Sequence, residues 1–119
     1  MKKIFIGIVV VALIVWAFIY ISTPRYDMTG PDVVRTDLHI EHLKLVAGPS
    51  VFRARVGNTV MITVSSDQAE ELHLHGYDKK MKLAPNKPGM FIVKADRVGT
   101  FVVELESSKS EIFTLEVMP

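Results

Sequence analysis

The chain has 119 residues, a formal net charge of +1 and no cysteine. This length suits one domain with short additions rather than two domains. The charges form no block of one sign. The charge pattern therefore does not predict a nucleic-acid partner. Without cysteine the chain has no disulfide, no thiolate metal ligand and no thiol nucleophile.

An unbroken apolar run from Ile4 to Ile21 follows two lysines near the start of the chain. As a helix this run would reach about 27 Å, close to the roughly 30 Å hydrocarbon thickness of a bilayer. A cleaved signal peptide has a shorter apolar core and a small-residue cleavage site, which the residues after Tyr20 do not offer. We therefore predict an uncleaved signal anchor, one transmembrane helix over residues 1–22, with a cleaved signal peptide as the alternative.

The two lysines before the apolar run favour a cytoplasmic N-terminus by the positive-inside rule. The predicted location is therefore the cytoplasmic membrane, crossed once, with the soluble domain facing the periplasm or the cell exterior. Residues 23–32 hold two prolines, a glycine and several polar side chains. They are predicted to form a linker between the membrane and the domain at residues 33–119.

From residue 33 onward, short stretches of alternating polar and apolar residues are separated by turn signals. The first stretch, 36–46, is predicted as one strand with a bulge near Glu41 and His42. The other predicted strands cover 51–56, 59–65, 71–77, 81–83, 90–95, 99–105 and 112–118. This pattern predicts an all-β, antiparallel Greek-key sandwich of seven or eight strands.

Two histidines stand in the predicted strand 71–77. Residues two apart on an extended strand point the same way, so His73 and His75 would project from one face. Their Cα atoms would lie roughly 7 Å apart, close enough for both imidazoles to converge on one ion. Alternatively, the two histidines line the solvated side of a strand whose Leu72 and Leu74 enter the core.

Three segments together resemble bacterial cupredoxin-like domains. They are Gly57 to Asp67, the stretch His73-Leu74-His75-Gly76-Tyr77-Asp78, and Lys94 to Leu105 with its Asp-Arg-Val-Gly-Thr-Phe core. The resemblance covers about residues 37–119 and is to the membrane-linked or periplasmic kind, similar in plan to the copper-bearing domain of cytochrome oxidase subunit II. It implies a Greek-key β-sandwich that holds copper at one end. One implied ligand is a His at the end of a middle strand, which best matches His75. The other implied ligands, Cys, His and often Met, lie on the loop between the last two strands.

That last loop departs from the implied ligand set. Residues 105–111 contain no Cys and no His, and the positions where similar proteins carry His correspond to Glu106 and Lys109. Because type 1 and dinuclear electron-transfer copper centres need thiolate, this chain can build neither. The candidate metal site that remains is His73, His75 and Glu106, a donor set that suits Cu(II) or Zn(II).

The remaining histidines, the methionines, the carboxylates and the serines show weaker signals for a functional site. His39 and His42 lie on a predicted strand, where an offset of three points them to opposite faces. The methionines form no Met-x-x-Met cluster that would suggest a Cu(I) relay. Carboxylates and serines form no acid–base pair and no nucleophile elbow in the sequence, so the chain is not expected to be an enzyme.

We therefore expect a membrane-anchored, extracytoplasmic cupredoxin-like domain without a type 1 copper centre, acting as a binding or accessory subunit. The expected partners are the membrane itself and, on family analogy alone, a redox or metal-handling membrane complex. No cofactor is expected, although copper stays open as a ligand. Two alternatives remain, a Cu(II) or Zn(II) carrier that uses the His-x-His site and, third, a one-electron transfer protein.

Overall fold

The computed structural model describes residues 2–22 and 32–119, and within the N-terminal helix it describes the side chains of residues 8–17 and 19. This helix, α1, spans Lys2–Ser22, and its described side chains are exposed. In the part of the chain that the structure describes, no helix meets the length and hydropathy needed to cross a membrane. The transmembrane anchor therefore stays a prediction, and the predicted linker falls, except for Asp32, outside the described residues.

The described residues after the helix form nine strands in two sheets. The strands are β1 Val33–Glu41, β2 Lys44–Ala47, β3 Val51–Arg55, β4 Thr59–Ser66, β5 Glu70–Leu74, β6 Lys79–Leu83, β7 Gly89–Lys94, β8 Gly99–Leu105 and β9 Ser110–Met118. One sheet has the order β2-β1-β4-β7, and the other has the order β3-β9-β8-β5-β6. The prediction of an all-β sandwich is confirmed, whereas the predicted number of seven or eight strands is wrong.

The extra strand comes from a hairpin where one bulged strand was predicted. β1 ends at Glu41 and β2 begins at Lys44, and the two residues between them, His42 and Leu43, have φ angles of +50° and +63°. Two successive residues with positive φ are typical of a type I′ turn, which usually carries Asn-Gly. Because His-Leu occupies this turn, the residue types gave no sign that the strand reverses.

Both sheets are mixed, which corrects the prediction of a purely antiparallel sandwich. β1 pairs with β4 in parallel, and β3 pairs with β9 in parallel. The chain changes sheet five times, after β2, β3, β4, β6 and β7. Many neighbours in space are therefore distant in sequence, as Greek-key connections require. The alternation of residues along a strand carries no information about the direction of its partner, so the parallel pairs could not be predicted.

The hydrophobic core lies between the two sheets. Inward residues recur with period two, as the burial of β4 and β5 shows. The four-stranded sheet contributes Val60, Ile62 and Val64, and the five-stranded sheet contributes Leu72, Leu74, Val103, Leu105 and Leu115, all of them completely buried. Residues between these positions must project from the outer faces.

Candidate functional site

His73 projects from the outer face of the five-stranded sheet. β5 lies between β8 and β6 in that sheet, and the flanking Leu72 and Leu74 are completely buried. The strand ends at Leu74 rather than at the predicted residue 77, so His75 begins the turn that leads to β6. The backbone N–H of His75 still donates to the carbonyl of Val102 at 2.9 Å, which keeps it beside β8.

The turn after His75 depends on Gly76 in two ways. Its φ is +87°, and a Cβ at this position would lie 2.4 Å from Cδ1 of Phe101. The Tyr77 ring packs against Phe101 with the centroids 4.7 Å apart. The Arg97 guanidinium donates to the Gly76 carbonyl and lies 4.7 Å from the Tyr77 ring centroid. Gly76 therefore supplies both the left-handed backbone and the close approach of the turn to β8.

The two predicted histidines converge with two carboxylates. The ring centroids of His73 and His75 are 4.1 Å apart. Nδ1 of His73 lies 3.2 Å from Oε1 of Glu106, and Nε2 of His75 lies 3.7 Å from Oε1 of Glu104. The structure thus brings the predicted set together and adds Glu104. Glu104 was missed because only the register of β5 against β8, which places it opposite His73, reveals it.

A lysine completes this group. Lys109, in the turn between β8 and β9, places its Nζ 2.7 Å from Oε2 of Glu106 and 3.9 Å from Oε1 of Glu104. The hydrogen bond from the Lys109 ammonium lowers the pKa of the Glu106 carboxyl, and the same bond raises the pKa of the ammonium. We call these five residues the outer-face cluster: His73, His75, Glu104, Glu106 and Lys109.

A buried carboxylate holds the β8–β9 turn in position. Glu70, only 7% exposed, accepts hydrogen bonds from the Ser107 hydroxyl at 2.8 and 2.9 Å and from the Gln68 amide at 3.1 Å. The N–H of Glu106 donates to the Glu71 carbonyl at 2.8 Å. Because both contacts join the turn to the start of β5, they keep Glu106 above His73.

A type 1 copper centre does not fit the outer-face cluster, because the chain has no cysteine to donate a thiolate. Among the described residues, no group of three or more His, Cys, Asp or Glu side chains is arranged to hold a metal ion. The Lys109 ammonium places a positive charge beside both carboxylates of the cluster. Metal binding by His73, His75 and Glu106 stays a prediction.

The other two histidines do not converge. Nδ1 of His39 lies 2.7 Å from the Ser65 hydroxyl, and its Nε2 lies 3.0 Å from Oε1 of Glu41. The side chain of His42 is 91% exposed, and its Nδ1 is 4.0 Å from an Asp67 carboxylate oxygen. Both have polar partners, but the prediction that they share one strand is wrong, because β1 ends at Glu41 and His42 lies in the turn.

No family model matches the sequence, and no curated protein matches it. Solved structures do share the fold. A chain of a heme-copper terminal oxidase dimer is 14% identical with a TM-score of 0.63, and the match covers 98% of this chain and 97% of that chain. The chain has a cupredoxin-like fold.

Two further structures support this assignment. The periplasmic domain of cytochrome oxidase subunit II (CoxB) of Bradyrhizobium japonicum is 11% identical with a TM-score of 0.58, covering 80% of this chain and 86% of that chain. The metal binding domain of the Streptococcus pneumoniae Cu(I)-exporting P-type ATPase CopA is 10% identical with a TM-score of 0.64, covering 76% and 90%. The cupredoxin-like resemblance is thus confirmed, in a chain that lacks the cysteine ligand.

Proposed function

We propose that this chain is a membrane-anchored accessory subunit without a type 1 copper centre and without enzymatic activity. Its cupredoxin-like domain lies on the extracytoplasmic side and docks beside a redox or metal-handling membrane complex. The observation that carries this proposal is the ammonium of Lys109, which contacts both Glu104 and Glu106 beside the histidine pair. The side chain of Lys109 supplies a positive charge in this cluster.

The proposed location is supported by the apolar helix and by the comparisons. The described residues of α1 present exposed Ile, Val, Leu and Trp side chains, as an anchor in lipid requires. The match to a chain of a heme-copper terminal oxidase covers 98% of this chain, which includes α1 as well as the sandwich. Another similar structure is a periplasmic domain of an oxidase subunit.

The accessory role is tested by purifying the full-length, tagged chain from its own membranes in a mild detergent. We expect haem absorption in the purified fraction, at a fixed ratio to the chain, with no copper attributable to the chain itself by metal analysis. An unrelated tagged single-pass protein from the same membranes serves as the control. A chain that purifies without a redox or metal-handling partner, or with one copper ion per chain, contradicts the proposal.

A second candidate function, a Cu(II) or Zn(II) carrier, is favoured by the 4.1 Å approach of the two imidazoles and the 3.2 Å approach of Glu106 to His73. Titration of the full-length chain with Cu(II), beside the His73→Ala/His75→Ala double variant, separates the two functions. Submicromolar affinity that disappears in the double variant supports the carrier. Weak binding that is the same in both proteins rejects it.

A further inference from the structure

Several segments of the chain meet at one end of the sandwich. The Val56 N–H in the β3–β4 turn donates to the carbonyl of Met118, the last residue of β9, at 2.9 Å. The Gly57 N–H in the same turn donates to the carbonyl of Ala95, which begins the β7–β8 turn, at 2.8 Å. β1 also begins here, because its first residue pairs with the first residue of β4, directly after the β3–β4 turn. We call this region the entry end, and it comprises residues 32–33, 56–58, 95–98 and 118–119.

Three aliphatic side chains are exposed at the entry end. Val56 is 45% exposed, Val98 is 58% exposed and Met118 is 37% exposed. Among the described residues of the sandwich, six large hydrophobic side chains are exposed, and three of these six lie at the entry end. They come from three segments that are distant in sequence. Apolar side chains that the fold gathers on one surface indicate a contact with another protein or with a membrane.

The length of chain before β1 limits how far the entry end can lie from the N-terminal helix. α1 ends at Ser22, and the first described residue of the sandwich is Asp32. Ten residues of fully extended chain span at most about 33–36 Å. The entry end is therefore tethered within this distance of the end of α1. The opposite end of the sandwich is separated from this attachment by the length of a strand, roughly 30 Å for the nine residues of β9.

We propose that the entry end is a membrane-contacting surface, on which Val56, Val98 and Met118 insert into the headgroup region of the bilayer that holds α1. This inference rests on the proposed membrane anchor and adds to it an orientation of the domain. Removal of the three side chains from water drives the insertion. Because the tether makes the contact intramolecular, a small apolar surface is sufficient to orient the domain.

The small size of the apolar surface favours lipid over a protein as the occupant. A stable protein interface buries about 800 Å² on each partner, and three aliphatic side chains supply much less than this. Insertion into the headgroup region requires no matching surface, because lipid molecules adapt their packing to the side chains. The three side chains of the entry end therefore suit shallow insertion into a bilayer.

The charged side chains around the entry end are compatible with lipid phosphates. The cationic groups of Arg55 and Lys94, which flank the two turns, donate to backbone oxygens of the entry end. Arg97 lies beside Asp96, with Nε and Oδ1 3.8 Å apart, and Asp32 is the other carboxylate side chain of the entry end. These side chains carry no excess of negative charge that would repel an anionic surface.

The test is fluorescence quenching of the full-length chain in vesicles of phosphatidylcholine and phosphatidylglycerol. Because the chain has no cysteine, Val98→Cys gives a single attachment point for an environment-sensitive fluorophore. Ser108→Cys is the matched control, since Ser108 is exposed in the β8–β9 turn, at the opposite end of β8. We expect a blue-shifted emission and strong quenching by lipids spin-labelled near the headgroup for the fluorophore at position 98, and neither effect at position 108.

A second comparison shows whether the apolar side chains cause the contact. In the chain labelled at position 98, Val56→Thr combined with Met118→Gln should reverse most of the blue shift and of the quenching. Val46→Thr combined with Val51→Thr is the control, because it removes two exposed aliphatic side chains from elsewhere on the sandwich. This control should leave both signals unchanged, and an equal loss in the two double variants overturns the inference.

The anchor is tested separately by Trp16, the only tryptophan of the chain, which lies in α1. Quenching of Trp16 by the spin-labelled lipids, without quenching at position 98, overturns the inference and leaves the anchor intact. Equal quenching at positions 98 and 108 overturns it as well. If position 98 is shielded from water in native membranes but not in vesicles, a protein partner covers the entry end and the inference is wrong. Absence of Trp16 quenching contradicts the proposed anchor, and the inference falls with it.

Discussion

Two hairpins of this sandwich each carry a pair of histidines, and the pairs behave differently. In the β1–β2 hairpin, His39 lies on the strand and bonds to Ser65, while His42 occupies the turn with its ring in solvent. In the β5–β6 hairpin, His73 lies on the strand and His75 begins the turn, and their rings are 4.1 Å apart. An offset of two residues near a strand end keeps the rings on one side, whereas an offset of three separates them.

The difference also depends on how each turn is held. His42 and Leu43 adopt positive φ without a glycine, and the His42 N–H donates to Asp67 at 3.2 Å. The β5–β6 turn instead has Gly76 pressed against Phe101, with Tyr77 packed on the same ring. The histidine pair that converges therefore belongs to the turn that is packed against the sheet.

The largest expected effect is on this packed turn. Gly76→Ala combines a left-handed backbone with a Cβ 2.4 Å from Phe101, and we expect it to lower the free energy of unfolding by about 2–4 kcal/mol. Gly57→Ala is the matched control, because Gly57 has a φ of +99° but no atom within 4 Å of the added Cβ. Its expected cost is about 1 kcal/mol. If chemical denaturation gave the same loss of unfolding free energy for Gly76→Ala and Gly57→Ala, Phe101 would not constrain the turn.

A smaller effect, which depends on pH, is expected at Tyr77. Its hydroxyl is buried and, within the described residues, makes no hydrogen bond of standard geometry, although Asp96 lies close enough to influence the pKa of the phenol. Because the hydroxyl is poorly satisfied, Tyr77→Phe should stabilise the fold by about 1 kcal/mol at neutral pH. Burial, the largest influence, raises the pKa of the phenol above its usual 10.0. The folded state therefore binds this proton more tightly than the unfolded state does. The part of the free energy of unfolding that comes from this tighter binding is fully present below pH 10 and is lost as pH rises through the folded pKa.

Denaturation curves of wild type and Tyr77→Phe from neutral pH to above pH 10 check this prediction. Other tyrosines and lysines titrate in both proteins, so the difference between the curves isolates Tyr77. We expect wild type to lose more stability than the variant on the alkaline side. Curves that remain parallel there would contradict the shifted pKa of Tyr77.

The smallest expected effect is at the other turn. His42→Gly should stabilise the β1–β2 hairpin by about 0.5–1 kcal/mol, because glycine adopts positive φ without strain. The equivalent change in the packed turn is Asp78→Gly at a φ of +50°. Since the short polar side chain of Asp can hydrogen-bond locally in this conformation, its gain should be smaller. Thermal unfolding of both variants compares the two turns, and a larger gain at Asp78 would reverse the expected order.

Much of the sandwich could be predicted from residue alternation alone. The stretch 59–65 predicts β4, which spans Thr59–Ser66, because one of its faces is the core and period two is unambiguous there. The two-residue spacing of His73 and His75 likewise predicts that their rings share a side. These features depend on local geometry, so a single segment contains the necessary information.

The features that could not be predicted depend on pairing between segments. Glu104 joins the outer-face cluster through the register of β8 against β5, which neither segment encodes alone. Lys109 stands out in the sequence as a departure from the expected ligands, but its contact with both carboxylates depends on the β8–β9 turn, where its φ is +55°. The role of Lys109, which stands where similar proteins carry His, could be interpreted only once the positions of the neighbouring carboxylates were known.

The parallel pairing of β3 with β9 has a consequence for how the domain forms. Arg53 on β3 and its partner Glu116 on β9 are 63 residues apart in the sequence. Closing such a long loop is entropically unfavourable, and contacts of this kind slow folding. During synthesis β3 must therefore wait, unpaired along this edge, until almost all of the domain has been made. We expect a slow, all-or-none final step in refolding, which would make the nascent chain dependent on protection during that interval.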